Sequence, residues 1–241
     1  YGFDKSNPTL LENKQMIEVC RKNNVKLAAA YYRRFFSHIQ KIKSLIAEGA
    51  IGDVVLAQSN YTGYYNPAKI YPEDPAQWRT DPQMAGGGVV MNCGSHRIDL
   101  LVYLLGDVAE VSAFVDTLHC NYPVEDSSVI IMRFATGAQA VANFNQNVRA
   151  STDEFAIYGT EGKIVATPLD SGNIVVHNAS GTQEYNLPPT KITHLGLVQD
   201  FVQSIVTERE PISSGEDGMK ASLVMDAVYK SSKLKQATPI L

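Results

Sequence analysis

Residues 86–99 read GGGVVMNCGSHRID, three consecutive glycines running into a stretch that carries Asn92, Cys93, His96 and Asp99. On an α-helix, side chains four apart share a face, so Asn92 and His96 project side by side. Asp99 falls on the same side as His96 or just round from it. Imidazole is the side chain whose unperturbed proton affinity suits transfer near neutral pH. Glycines without Cβ atoms let a ligand or another stretch of chain approach the backbone closely, and a helix N-terminus aims N–H donors at whatever sits there. Together these residues describe a place where a small polar ligand meets a titratable group. Plainer uses fit too: a structural histidine, a tight glycine turn, and a small buried Cys93. Cys93 and His96 also stand at a chelating spacing. No second Cys or His pair in the chain has metal-ligand spacing, so no metal is expected.

The elements around this stretch can be read from periodicity. Thr9 to Asn23 reads as a helix with Thr9 and Glu12 as a capping box. VKLAAAYY (25–32) follows as a short apolar strand. A helix passing directly into a buried strand is the closing half of a βαβ unit, which needs neighbouring strands. Nothing in the sequence before Tyr1 provides them, so the reading expects a truncated unit. A helix over Ser37–Glu48, a strand over residues 53–64 and a Pro- and Tyr-rich loop over residues 65–82 come next. The quoted motif then opens a helix that Gly106 stops near Leu105. Beyond it, apolar runs separated by Gly, Pro, Asn and Asp turns read as a mostly antiparallel sheet, closed by helices near 192–207 and 216–235. The expected fold is an α/β remnant followed by a large α+β sheet domain.

Composition narrows the function classes. The 241 residues are 44% hydrophobic and 19% charged, as in an ordinary globular chain. Lys plus Arg number 21 against 25 Asp plus Glu, a net charge of −4 that argues against a nucleic-acid surface. No apolar run reaches the ~18–20 residues of a membrane span, and YGFDKSNP lacks the features of a signal peptide. Neither nucleic acid nor membrane is expected as a partner. Cys20, Cys93 and Cys120 have no repeated spacing, which points to a reducing, cytoplasmic location rather than a disulfide framework.

AGGGVVMNCGSHRIDLLVYLLG resembles the A-G-G-G-x-x-x-D-x-G-x-H-x-x-D helix of the glucose-fructose oxidoreductase and inositol dehydrogenase family of NAD(P)-dependent sugar dehydrogenases. IEVCRKNNVKLAAAYYRRF is similar to the last helix and strand of that family's Rossmann domain, and QWRTDPQMAGGG to its W-R-x-D-P lead-in. VEDSSVIIMRFATGAQA and FAIYGTEGKI resemble its sheet strands, and ISSGEDGMKASLVMDAVYKSSK its final helix. The likeness runs through nearly the whole chain, in order.

It implies residues 1–32 as the C-terminal remnant of a dinucleotide-binding domain and 33–241 as the substrate-binding and catalytic domain. By the same resemblance, His96 matches the catalytic histidine and Asn92 stands where the family usually has Asp. Lys5 is a candidate for the lysine of the family's E-K-P motif. Arg33, Trp78 and Arg79 match positions that line the NAD or NADP cofactor, and Tyr64 and Tyr65 could reach the sugar or polyol substrate. Asn92 cannot carry negative charge, so it gives a protonated His96 no charge stabilisation. That leaves open either a weaker base or a non-catalytic relative that binds dinucleotide or sugar. Tyr32 stands where the family often has Asn. The sheet, by the same resemblance, is expected to make a homodimer or homotetramer interface.

Overall fold

The computed structural model describes residues 8–65, 75–189 and 191–240. Among them, nine strands form one sheet: β1 (Val54–Tyr64), β2 (Val108–Asp116), β3 (Ser127–Phe134), β4 (Gln139–Asn145), β5 (Asn147–Gly159), β6 (Gly162–Ala166), β7 (Asn173–Asn178), β8 (Gly181–Asn186) and β9 (Thr238–Pro239). The spatial order is β8-β7-β6-β5-β1-β4-β3-β2-β9. Every pairing is antiparallel except β1 with β4. Strand β1 therefore lies between β4 and β5, which follow one another in the chain with Gln146 between them.

Among the described residues, six α-helices accompany the sheet: α1 (Pro8–Lys22), α2 (Ser37–Ala47), the short α3 (Pro82–Ala85), α4 (Ser95–Leu105), α5 (Leu195–Val206) and α6 (Gly215–Leu234). Period-two burial shows how one sheet face is covered. In β3, Ile130, Met132 and Phe134 are buried while Val129 and Ile131 are exposed. The buried set meets Ala140, Ala142 and Phe144 of β4 and the apolar residues Ile98, Leu101 and Leu105 of α4 in a single core. Helix α6 packs on both α4 and β2. It begins with a capping box, Ser214 accepting from the Asp217 N–H while the Asp217 carboxylate accepts from the Ser214 N–H.

Two expectations are corrected. Residues 25–32 are not a strand: Ala28 makes one isolated antiparallel bridge to Ser214, and a 3₁₀ turn begins at Tyr32. A strand requires a neighbour for its backbone groups, and this segment instead lies across the start of α6, where Gly215 and Gly218 leave room for Leu27 and Ala29. Helix α1 begins at Pro8, so Thr9 lies inside the first turn rather than capping it. Strands β8 and β9 add edges that were not expected.

Candidate active site

The motif helix starts with a π turn, Val90–Gly94, that runs into α4 at Ser95. Its i→i+5 bonding accommodates one extra residue in the turn just before His96, a distortion often found at functional sites. Glu125 anchors this start. Its carbonyl accepts from the Val89 N–H at 3.0 Å, and its Oε1 accepts from the Val90 N–H at 3.1 Å and from the Tyr229 hydroxyl at 2.7 Å. Burial pushes the Glu125 carboxyl up from its ordinary value, against these donors.

The glycines serve chain-to-chain packing. A Cβ on Gly88 would lie 2.0 Å from the Glu125 carbonyl oxygen, and one on Gly87 2.0 Å from the Tyr229 hydroxyl. Gly94 has the same use against the sheet, where a Cβ would meet the Phe144 ring at 2.8 Å. These contacts seat the helix on the sheet and fix where His96 emerges.

His96 sits among aromatic rings. Tyr31 meets it edge-on at 5.8 Å between centroids and Tyr32 is tilted at 5.2 Å. Tyr32 also packs against His194 at 4.5 Å. The His96 Nδ1 is buried with no hydrogen-bond partner among the described residues. Burial, then the positive charge of Arg33, with smaller contributions from His194 and Arg97, pushes the imidazole down to about 4 against the pull of Asp170. The ring is neutral at pH 7.

Arg33 is held by Asp170, its Nε donating at 2.9 and 3.2 Å and its Nη2 at 2.6 Å, while its guanidinium lies 5.0 Å from the Tyr32 ring centroid. Asp170 belongs to a 3₁₀ turn, Leu169–Ser171, between β6 and β7. Asp99 pairs with Arg34: at 1% exposure it accepts from Arg34 at 2.6, 3.0 and 3.1 Å, and Arg34 is itself 2% exposed. Arg97 donates to Asp153 at 2.5 Å beneath the site.

The remaining expected residues are more dispersed. The Asn92 side-chain amide has no hydrogen-bond partner among the described residues; the backbone N–H of Asn92 donates to the Gly88 carbonyl at 2.9 Å. Cys93 accepts from the Gln146 amide at 3.3 Å, and burial pushes its thiol up, away from the thiolate a ligand or nucleophile needs. Tyr64 closes β1 under the Arg149 guanidinium at 4.1 Å, and the Tyr65 ring faces Tyr122 at 6.3 Å. Trp78 is exposed in the 3₁₀ turn Pro75–Thr80, with the Arg79 guanidinium 4.8 Å from its ring. No hydrogen bond or ring contact joins Tyr64, Tyr65, Trp78 or Arg79 to His96 among the described residues. Lys5 lies outside the described residues. Asp170, His194 and Gln146 were not anticipated: each sits in a polar turn or loop with no local pattern to mark it.

An open α+β sheet with the motif helix and its His96 packed on the covered face is the architecture of a family of oxidoreductase C-terminal domains. The model of the GFO/IDH/MocA C-terminal domain matches residues 39–165, more than half of the chain, and the protein belongs to that family. It is similar to 1,5-anhydro-D-fructose reductase of Ensifer adhaerens, 27% identical over 96% of this chain and 69% of that protein. It is similar too to myo-inositol 2-dehydrogenase of Thermotoga maritima, 25% identical over 96% of this chain and 69% of the relative. Among solved structures, aldose-aldose oxidoreductase from Caulobacter crescentus complexed with glycerol superimposes with a TM-score of 0.84 at 25% identity, over 95% of this chain and 68% of its own. Levoglucosan dehydrogenase in complex with NADH shares the fold, with a TM-score of 0.84 at 24% identity over 96% of this chain and 70% of its own.

Proposed function

We propose that the protein is an NAD(P)-dependent oxidoreductase that transfers a hydride between the nicotinamide and a secondary alcohol of a sugar, cyclitol or related polyol. The observation that carries the reading is His96, a neutral imidazole presented by a helix whose π turn and glycines fix its exit from the core. Oxidising a secondary alcohol removes a hydride from carbon and a proton from oxygen; the nicotinamide supplies the hydride acceptor. His96 takes the proton in that direction and returns it in reduction. Asn92 orients the substrate by hydrogen bonds without adding charge. Lys5, by family resemblance, is the third member of the proton-handling set. The exposed Trp78 ring with Arg79 over it offers a flat cationic surface suited to the cofactor, so the residues present fit one end of a dinucleotide. Arg33 contributes while paired to Asp170, as an orienting group beside Tyr32. Tyr64 and Tyr65 face the sugar. We assign residues 1–32 to the dinucleotide-binding part and 33–241 to the substrate domain, and the three free cysteines support a cytoplasmic location.

Turnover of polyols by the gene's full-length product, with NAD⁺ and NADP⁺, tests this. His96→Ala should lower kcat/KM by about 10²–10⁴-fold, and an unchanged rate would remove His96 from the chemistry. Asn92 favours a second reading, a non-catalytic relative that binds dinucleotide or sugar. Under that reading NADH or NADPH titrates the protein by fluorescence but no polyol is oxidised.

The uncovered sheet face supports self-association into a homodimer or homotetramer. Phe114 and Val129 are register partners there, beside Ile131, and all three are exposed. Sedimentation at two concentrations should show the oligomer and Phe114→Arg should dissociate it. A strict monomer would count against this interface.

A further inference from the structure

Two segments far apart in the chain meet at His96: the turn Tyr32–Phe35 and the connection between β6 and β7. The Arg33–Asp170 ion pair joins them. It is bidentate, with Arg33 mostly buried and Asp170 partly exposed. Its guanidinium lies 5.0 Å from the Tyr32 ring centroid, and Tyr32 packs against both His96 and His194. We infer that Asp170 is a positioning residue of this site: it clamps Arg33 against Tyr32, and so fixes both the ring packed on His96 and the net charge the imidazole faces.

The geometry explains why a carboxylate is needed there. Alone, the guanidinium would rest a full positive charge beside an imidazole that must accept a proton, with no carboxylate at position 92 to offset it. Asp170 supplies that missing negative charge from a different element. Among the described residues, the rings packed on the imidazole are Tyr31 and Tyr32, and the charges acting on it are Arg33 from the turn, Asp170 from the β6–β7 connection, His194 from the residue before α5 and Arg97 from the motif helix. Of these, Arg33 and Asp170 act on His96 with opposite sign. The functional meaning rests on His96 as the proton-handling group; the electrostatic claim does not.

The test follows the His96 Cε1–Hε1 resonance by NMR through an acid titration, assigned by its loss in His96→Gln. It needs neither cofactor nor substrate. Arg33→Gln should raise the His96 midpoint by about one pH unit or more. Asp170→Asn should lower it, so that the ring stays neutral to lower pH than in the parent. The double variant should return towards the parent value. Unmoved midpoints, or both single variants moving the same way, would overturn the inference, because a purely structural pair has no reason to give opposite signs. Should Asp170→Asn fail to fold, Arg33→Lys against Arg33→Gln decides: Lys keeps the charge and the low midpoint, and a Lys variant that behaves like Gln overturns the inference. If polyol turnover survived His96→Ala while these shifts appeared, the catalytic reading would fall and the positioning of His96 by Asp170 would stand.

Discussion

A methyl group added at Gly94 should disturb the site without touching any polar group in it. The new Cβ would lie 2.8 and 3.0 Å from two carbons of the Phe144 ring and 3.4 Å from the Val89 carbonyl oxygen. Carbon atoms rest comfortably at about 3.5–4.0 Å, so relief requires a movement of roughly 0.7–1.2 Å. Phe144 is fully buried among the sheet's inward-facing residues, where close packing opposes its movement. The helix must therefore lift from the sheet. Overpacking of this kind costs about 1–3 kcal/mol. For a chain of this length, 2 kcal/mol lowers Tm by about 4–8 °C. A displacement of about 1 Å at His96 should reduce kcat/KM by on the order of 100-fold. The assay is thermal unfolding with polyol turnover for Gly94→Ala, Phe144→Leu and the double variant. The smaller, more adaptable leucine should relieve the clash, leaving the double variant more stable than the sum of the single losses by at least about 0.5 kcal/mol. Additive losses, or no change in Tm for Gly94→Ala, would refute the seating argument.

Other perturbations address charge. Asp99→Asn takes the bidentate carboxylate from the buried Arg34, leaving Asp217 at 3.7 Å and the Ile212 carbonyl at 3.0 Å, and should cost about 3–5 kcal/mol in urea unfolding; a loss below about 1 kcal/mol would show that Asp217 takes over the pairing. With its value near 4 in the folded chain, His96 binds a proton more readily when unfolded, at an ordinary value of about 6.5. It therefore costs no stability above that value, destabilises progressively as pH falls towards about 4, and adds nothing further below. His96→Gln should lose less stability than the parent across that window, and equal slopes would contradict the shift. Asn92→Asp places a carboxylate beside His96 and should raise its NMR midpoint; an unmoved midpoint would separate residue 92 from the imidazole. Asp126 accepts from the N–H groups of Leu118, His119 and Cys120, which outweigh burial and hold its carboxyl below the ordinary range. Its contribution is present above pH about 4 and fades as pH falls through the lower folded value, so Asp126→Asn should flatten that acid loss.

What could be read before the coordinates were known had local causes. Helix α2 follows from its apolar positions and glycine stop, and β3 from the apolar run 129–132 between turn residues. Which of those side chains are buried is set by the sheet, since Ile130 and Met132 face in while Val129 and Ile131 face out. The apolar run 25–32 was over-read, because such a run does not distinguish a strand from an extended segment packed against a helix start. Strand β8 was missed because TQEY is polar and lies at the sheet edge. At the site, His96 stood out by residue type and spacing. Asp99 pairs with the buried Arg34 rather than with His96, a partner that helix spacing does not reveal. Asp170 and His194 reach His96 through tertiary structure only, and nothing in PLDSG or KITHLG reveals that.

The insertion of β1 between β4 and β5 has a kinetic side. Neighbouring strands in sequence usually zip into a hairpin within microseconds, yet here the chain leaves β4 at Asn145, passes round the end of β1 and returns along its other edge from Asn147, opposite Tyr64. A premature β4–β5 hairpin would shut out the strand that belongs between them. Folding must hold that slot open until residues 54–64 arrive, a long-range search that predicts slow refolding. Gln146 sits at the bend: its carbonyl receives the Tyr65 N–H at 2.9 Å and its amide reaches Cys93 at 3.3 Å in the motif helix. The last closure of the sheet and the assembly of the His96 neighbourhood are then a single event, so a chain trapped before that step would carry most of its strands and no working site.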